Sequence, residues 1–242
     1  MARVILPANQ MGAAMIDGVV FDKDGTLFDF RQSWGAWTER LLQQIAADEP
    51  HADTLAATLG YDRQAHDFHP ESPVIAATAM EISAVLLPHL PGQTQAALMA
   101  ELNALAQNAV MVPAVPLRPV LGALRDQGLK LGLATNDTEA PARAHLTAHG
   151  VLDLFDFVAG YDSGHGPKPG PGMCLAFARQ IGIDPARAVM VGDSLHDLEA
   201  GRAAGMRVVA VLTGIATTAE LAPHADVVLP DIGGLGAWIA AQ

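Results

Sequence analysis

Past its first fifteen residues the chain enters a short apolar run, Ile16-Asp17-Gly18-Val19-Val20-Phe21, that stops at a polar cluster beginning with Asp22. A run this short, β-branched at its centre and closed by polar residues, is the mark of a strand buried on both faces. The same pattern returns at residues 129–134, 188–191, 208–212 and 227–229. Between these runs apolar positions recur at helical spacing over 120–127, 140–149, 173–181, 197–204 and 235–240. Strand and helix alternating on this scale predict an α/β fold, a doubly wound Rossmann-like parallel sheet. Ligands of such a sheet collect at the carboxyl ends of its strands, where this chain puts Asp22 and Asp24, Thr135 and Asn136, and Asp193 and Asp197.

Residues 28–112 break the alternation. Helical spacing is visible near 34–47, 52–59, 74–86 and 93–109, separated by Pro50, Gly60, Pro70, Pro73, Pro88 and Pro91, and no strand is expected among them. The stretch reads as an all-helical domain inserted after the first strand, with Pro113 and Pro116 stiffening the return. The expected organisation is therefore a core of residues 1–27 and 113–242 and a helical domain of residues 28–112.

Composition narrows the partners. The 242 residues are half apolar, enough for a sizeable core, and 26 acidic against 14 basic residues give a formal charge of -12. That charge repels a phosphate backbone, so a small substrate is expected rather than a nucleic acid. No run is long enough to span a bilayer, and residues 1–15 are too broken by Pro7, Asn9 and Gln10 for a secretory signal. With Cys174 as its single cysteine, the chain is expected in the reducing cytoplasm, away from the membrane. Cys174 itself reads as a small core residue on a helix. Nothing in the sequence fixes monomer or homodimer.

Asp22-Lys23-Asp24-Gly25-Thr26-Leu27 follows the first strand directly. A carboxylate there can attack a phosphoryl group, and a second one two residues on can move the proton. Asp-x-Asp-Gly is also a common turn, and it opens calcium loops. The following Thr26-Leu27-Phe28-Asp29-Phe30 lacks the further ligands and closing Glu of such a loop. Thr135 and Asn136 end a strand before the helix-start residues Asp137 and Thr138, and can bind phosphate or simply cap. Lys168 stands in a Gly/Pro loop, residues 164–172, where one held cation can neutralise both a carboxylate and a phosphate. Gly192-Asp193-Ser194-Leu195-His196-Asp197 closes another strand with two acids four apart. Magnesium takes a few carboxylate oxygens with water and phosphate, so Asp22, Asp193 and a backbone carbonyl make a sufficient set.

In this order the four clusters resemble the haloacid dehalogenase superfamily from Asp17 to about Gly214, and especially its phosphoglycolate phosphatases with a helical cap. The resemblance implies that Asp22 is the nucleophile and a Mg2+ ligand. Asp24 would be the general acid and base and give the metal its backbone carbonyl. Gly25, Thr135, Asn136 and Lys168 would surround the phosphoryl group, Asp193 would bind the metal, and Asp197 would hold Lys168 or metal-bound water. The substrate implied is a small phosphorylated metabolite, phosphoglycolate first, hydrolysed through an aspartyl phosphate under a closing cap.

Asp24 weighs against the family's dehalogenases, which lack that acid, and against its phosphonate-cleaving members, which have Ala there. A sugar-phosphate mutase uses both acids but also a cap lysine, and residues 28–112 hold none. A non-catalytic binder of phosphorylated metabolites would need no acid at Asp24. In the cap, Arg31, Arg40, Arg63, His66 and His69 are the candidates to meet a substrate carboxylate or hydroxyl, each with a solvated or structural role as the simpler reading. Trp34 and Trp37 read as core or staple residues rather than stacking surfaces.

Overall fold

The computed structural model describes residues 15–242. The part of the N-terminal leader reading that concerns residues 1–14 lies outside the described residues. Six strands make one parallel sheet: β1 (Gly18–Phe21), β4 (Lys130–Ala134), β5 (Phe157–Ala159), β6 (Ala188–Gly192), β7 (Arg207–Val211) and β8 (Val227–Leu229). Their order is β5-β4-β1-β6-β7-β8, so the chain turns back at β1. That reversal opens a crevice beyond the carboxyl end of β1, between those of β4 and β6.

Helices α5 (Leu117–Asp126), α6 (Glu139–Ala148), α7 (Gly172–Ile181), α8 (Leu195–Ala203), the short α9 (Thr218–Leu221) and α10 (Leu235–Ala240) connect and flank the strands. Two of them approach the sheet closely because glycine makes room. A Cβ on Gly132 of β4 would lie 2.5 Å from the Phe177 ring of α7. On α8, a Cβ on Gly201 would lie 2.6 Å from Met190 of β6. Phe177 is fully buried in this seam, and burying such a side chain contributes on the order of 2 kcal/mol.

Between β1 and β4 lie α1 (Phe30–Ile45), α2 (Glu49–Thr58), α3 (Ala79–Leu86) and α4 (Gln95–Gln107). The expectation of an insert without strands needs correction. A two-residue hairpin, β2 (Tyr61–Asp62) with β3 (Asp67–Phe68), sits between α2 and α3. Strands of two residues are too short to show a period. Their turn is held by Asp62, whose carboxylate accepts from the Gln64 and Ala65 amides.

The helix expected over 74–86 is divided. Residues Pro73–Ile75 form a 3-10 turn, and α3 starts afresh behind a capping box. There Thr78 Oγ1 accepts from the Glu81 amide at 3.3 Å, and Glu81 accepts from the Thr78 amide at 2.7 Å. β5 was absent from the expected strands because Phe157-Val158-Ala159 is only three residues long. Among the described residues no helix is long and apolar enough to cross a membrane.

Candidate active site

Asp22 leaves β1 with its backbone N–H still donated to Val191 of β6 at 2.8 Å, so its side chain starts from the sheet itself. Lys168 reaches it from the Gly/Pro loop. The ammonium, almost fully buried, donates to Asp22 Oδ1 at 2.5 Å and to Asp197 Oδ1 at 2.6 Å. The loop is pinned by Asn136, whose Oδ1 accepts from the Lys168 amide at 2.8 Å and whose Nδ2 donates to the Lys168 carbonyl at 3.0 Å. The same Nδ2 donates at 2.8 Å to the carbonyl of Ala76 in the insert. Asn136 thus ties three segments together by its side chain, a use its motif position did not announce.

Asp193 follows β6 and is also buried. Two glycines leave it space: a Cβ on Gly214 would stand 1.7 Å from Asp193 Oδ2, and one on Gly25 2.3 Å from it. Gly25 has a φ of +83°, where a side chain is strained in any case. Its N–H is donated to Phe28 and its carbonyl accepts from Thr213, so what Gly25 supplies is the turn and the room for Asp193. Thr135 is buried, and its hydroxyl oxygen accepts from the Asp137 amide, which leaves the O–H proton to donate elsewhere.

Carboxylate oxygens of Asp22, Asp193 and Asp197 lie within 4.8 Å of one another. Burial pushes Asp22 up to about 7, against the pull of Lys168 and with further upward push from Asp197 and Asp24. Burial, then Asp197 and Asp22, raise Asp193 well above the usual carboxylate range. Burial alone would lower Lys168, but Asp197 and Asp22 outweigh it and keep the ammonium charged. Fully ionised, three carboxylates facing one ammonium would carry an excess of two negative charges, the charge a divalent cation offsets, and this crowding is part of what raises Asp22 and Asp193. Asp197 gives Oδ1 to Lys168 and Oδ2 to the Ser194 amide and hydroxyl, so Asp22 and Asp193 have more lone pairs free for a metal.

Asp24 faces a second cation, which the sequence reading passed over. Lys23 is fully buried, with its Nζ 3.1 Å from Asp24 Oδ2, 2.8 Å from Asp137 Oδ2 and 3.1 Å from His145 Nδ1. It also stands 5.4 Å over the Trp34 ring. An ammonium only donates, so His145 Nδ1 accepts and the ring proton is on Nε2, 2.8 Å from the Ala106 carbonyl of the insert. The visible signal was a lysine between two acids; its partners Asp137 and His145 lie over a hundred residues away. Burial raises Asp24 above its ordinary value although Lys23 opposes, and its Oδ1 has no hydrogen-bond partner.

A cavity over these residues is closed from the far side by the insert, through Trp34, Trp37, Ile75, Ile82 and Leu102. Trp34 and Trp37 are buried as a core pair would be, and they also wall this cavity. Arg31, Arg40, Arg63, His66 and His69 do not line it. Arg31 instead pairs with Asp67, and Arg63 with Glu49 and Asp53.

The model of the haloacid dehalogenase-like hydrolases matches residues 16–205, which span Asp22, Lys23, Asp24, Thr135, Asn136, Lys168, Asp193 and Asp197. The chain belongs to that family. Among curated relatives, the "Probable phosphatase IndB" of Dickeya dadantii is 31% identical over 84% of this chain and 84% of its own length. A "Phosphoglycolate phosphatase" of Nitrosospira multiformis is 29% identical over 82% of this chain and 84% of its own. The crystal structure of CbbY from Rhodobacter sphaeroides in complex with phosphate superposes with a TM-score of 0.68 at 24% identity, covering 92% of this chain and 97% of that one. That likeness bears on the fold, and agrees with the α/β core and helical insert expected from the sequence.

Proposed function

We propose that this haloacid dehalogenase-like hydrolase is a magnesium-dependent phosphatase that hydrolyses a small phosphorylated metabolite through an aspartyl phosphate on Asp22. The observation that carries the reading is the division of the two acids between two cations. Asp22 is held by Lys168 and faces Asp193, whereas Asp24 is held by Lys23 and keeps one oxygen free. The names of the Dickeya and Nitrosospira relatives support the same reaction class.

An Asp22 oxygen attacks phosphorus, and the bond from phosphorus to the ester oxygen breaks. Asp24, raised by burial, gives that leaving oxygen its proton. A water then attacks the aspartyl phosphate, Asp24 takes the water's proton, and Asp22 departs as a carboxylate with inorganic phosphate released. Lys168 and the Thr135 hydroxyl hold the phosphoryl oxygens, with the Asn136 backbone beside them. Asp197 keeps Lys168 in place.

Asp22 and Asp193, with the Asp24 backbone carbonyl, would hold Mg2+. The charge excess among the three buried carboxylates fits a divalent cation. When bound, magnesium would screen the repulsion between the Asp22 carboxylate and the phosphoryl oxygens. Residues 28–112 act as the cap, and the buried lone Cys174 suits a cytoplasmic enzyme.

The test is phosphate release from a panel of phosphomonoesters with magnesium or with chelator. Release is expected only with the metal, and Asp22→Asn abolishes it. Unchanged turnover in Asp22→Asn would overturn the mechanism. Product isomers in place of free phosphate would favour a mutase, and binding without product a non-catalytic role.

A further inference from the structure

The two walls of the active-site cavity differ in kind. The core wall is acidic, with Asp22, Asp24, Asp137, Asp193 and Asp197, and its cation Lys168 is committed to Asp22 and Asp197. Apart from Asn103, whose Oδ1 accepts from the Thr138 hydroxyl, the insert wall is aliphatic and aromatic, and it carries no lysine, arginine or histidine among the described residues. Behind it the Lys23 ammonium is already shared among Asp24, Asp137 and His145.

Two polar atoms of this apolar wall stand out. Trp34 and Trp37 are 7% and 4% exposed and meet edge to face at 4.9 Å. Neither indole Nε1 has a hydrogen-bond partner. Buried donors are nearly always satisfied, and one left alone carries an uncompensated desolvation cost. An indole N–H can only donate. The Trp34 N–H faces Asp24 and favours its ionised form, which leaves Trp37 as the donor with no assigned task.

We propose that the insert wall receives the alcohol part of the phosphomonoester, and that this part is uncharged, largely apolar and bears a hydrogen-bond acceptor for Trp37 Nε1. The inference rests on the phosphatase reading and narrows its substrate. A carboxylate carried to the insert wall would be buried beside Asp24 and Asp137, where Lys168 and Lys23 are already committed, and the one other basic side chain of the lining, His196, is solvent-exposed rather than buried with it. Nor is it better received further out. The wider hollow that continues past Asn136 and His196 is edged by Glu71, Glu81 and Glu220. Phosphoglycolate, the first candidate from the sequence, therefore fits poorly, because its alcohol part is itself an anion.

The test is kcat/KM of the magnesium-loaded enzyme on three benzyl phosphates that differ only at the ring's 4-position: acetyl, ethyl and carboxylate. Their leaving alcohols have similar acidity, so the ring substituent carries the difference. 2-Phosphoglycolate is the fourth arm. The acetyl ester is expected to exceed the carboxylate ester and 2-phosphoglycolate by about tenfold or more, and the ethyl ester by a smaller factor. Trp37→Phe keeps a ring and removes the donor. It is expected to bring the acetyl-to-ethyl ratio towards one while the preference against carboxylate remains. General damage to the fold would lower all rates together, and Trp37→His, which restores an N–H, is expected to recover part of the ratio.

Turnover of the carboxylate ester or 2-phosphoglycolate as fast as the acetyl ester would overturn the inference and leave the phosphatase reading standing. An unaltered acetyl-to-ethyl ratio in a folded Trp37→Phe would remove Trp37 from it. No turnover of any ester would bring down both readings.

Discussion

Asp197 grips Lys168 at 2.6 Å with one carboxylate oxygen, and with the other it accepts from both the amide and the hydroxyl of Ser194, the residue that caps its own helix. The ammonium that meets Asp22 is thus positioned by a side chain locked into the first turn of α8. Asp197→Asn keeps the shape and removes the charge. It is expected to lower kcat/KM about 10–100-fold with the fold intact, as loss of an outer-shell partner commonly does. Activity within twofold of the parent would show that Asp22 alone suffices to hold Lys168.

Gly214 gives a separate handle on the proposed metal. Because an added Cβ would fall 1.7 Å from Asp193 Oδ2, Gly214→Ala must displace that carboxylate. The magnesium concentration for half-maximal phosphate release is expected to rise about tenfold or more. Gly122 in α5 has nothing within 4 Å of the same position. Gly122→Ala is the control, expected to leave the metal requirement alone and to stabilise the fold by about 0.4–1 kcal/mol in denaturant titration.

His145 should make stability depend on pH. Burial, then the Lys23 charge, push it down to about 4 from 6.5. Below 6.5 the unfolded chain takes up a proton that the folded chain refuses, so stability falls as pH drops from 6.5 towards 4 and levels off beneath. Between pH 7.5 and 5.0 the loss is about 2 kcal/mol. In His145→Gln, urea unfolding at the two pH values should differ by that much less. The same slope in both proteins would remove His145 as its source.

The capping box of α3 is a local test in the insert. Thr78→Ala deletes the hydroxyl that accepts from the Glu81 amide and should cost about 1 kcal/mol in thermal or urea unfolding. Thr78→Ser, which keeps the acceptor, should recover most of it.

The sheet was legible because its buried strands are continuous apolar runs ending in polar residues, as at Phe21-Asp22 and Gly192-Asp193. Residues Asp22, Lys168 and Asp193 could be grouped because each closes a strand or fills a stiff loop beside one, and Asp197 because it follows Asp193 by one helical turn. Lys23 could not be read in the same way. Its burial depends on Trp34 in α1 and on Asp137 and His145 at and within α6, two segments far apart in the chain that no periodicity links. The hairpin β2–β3 escaped because two residues carry no alternation. The role of Trp37 escaped because a tryptophan in a helix looks the same in sequence whether its N–H is satisfied or spare.

The bond from Asn136 to Ala76 gives the insert a grip on the machinery beneath it. That single side-chain amide also clasps the backbone of Lys168. Any swing that carries Ala76 outward must break one of three bonds made by the group that seats the lysine loop. In the proposed reaction, where residues 28–112 act as the cap, a spectroscopic label near Lys168 is therefore expected to report the position of the insert without being attached to it.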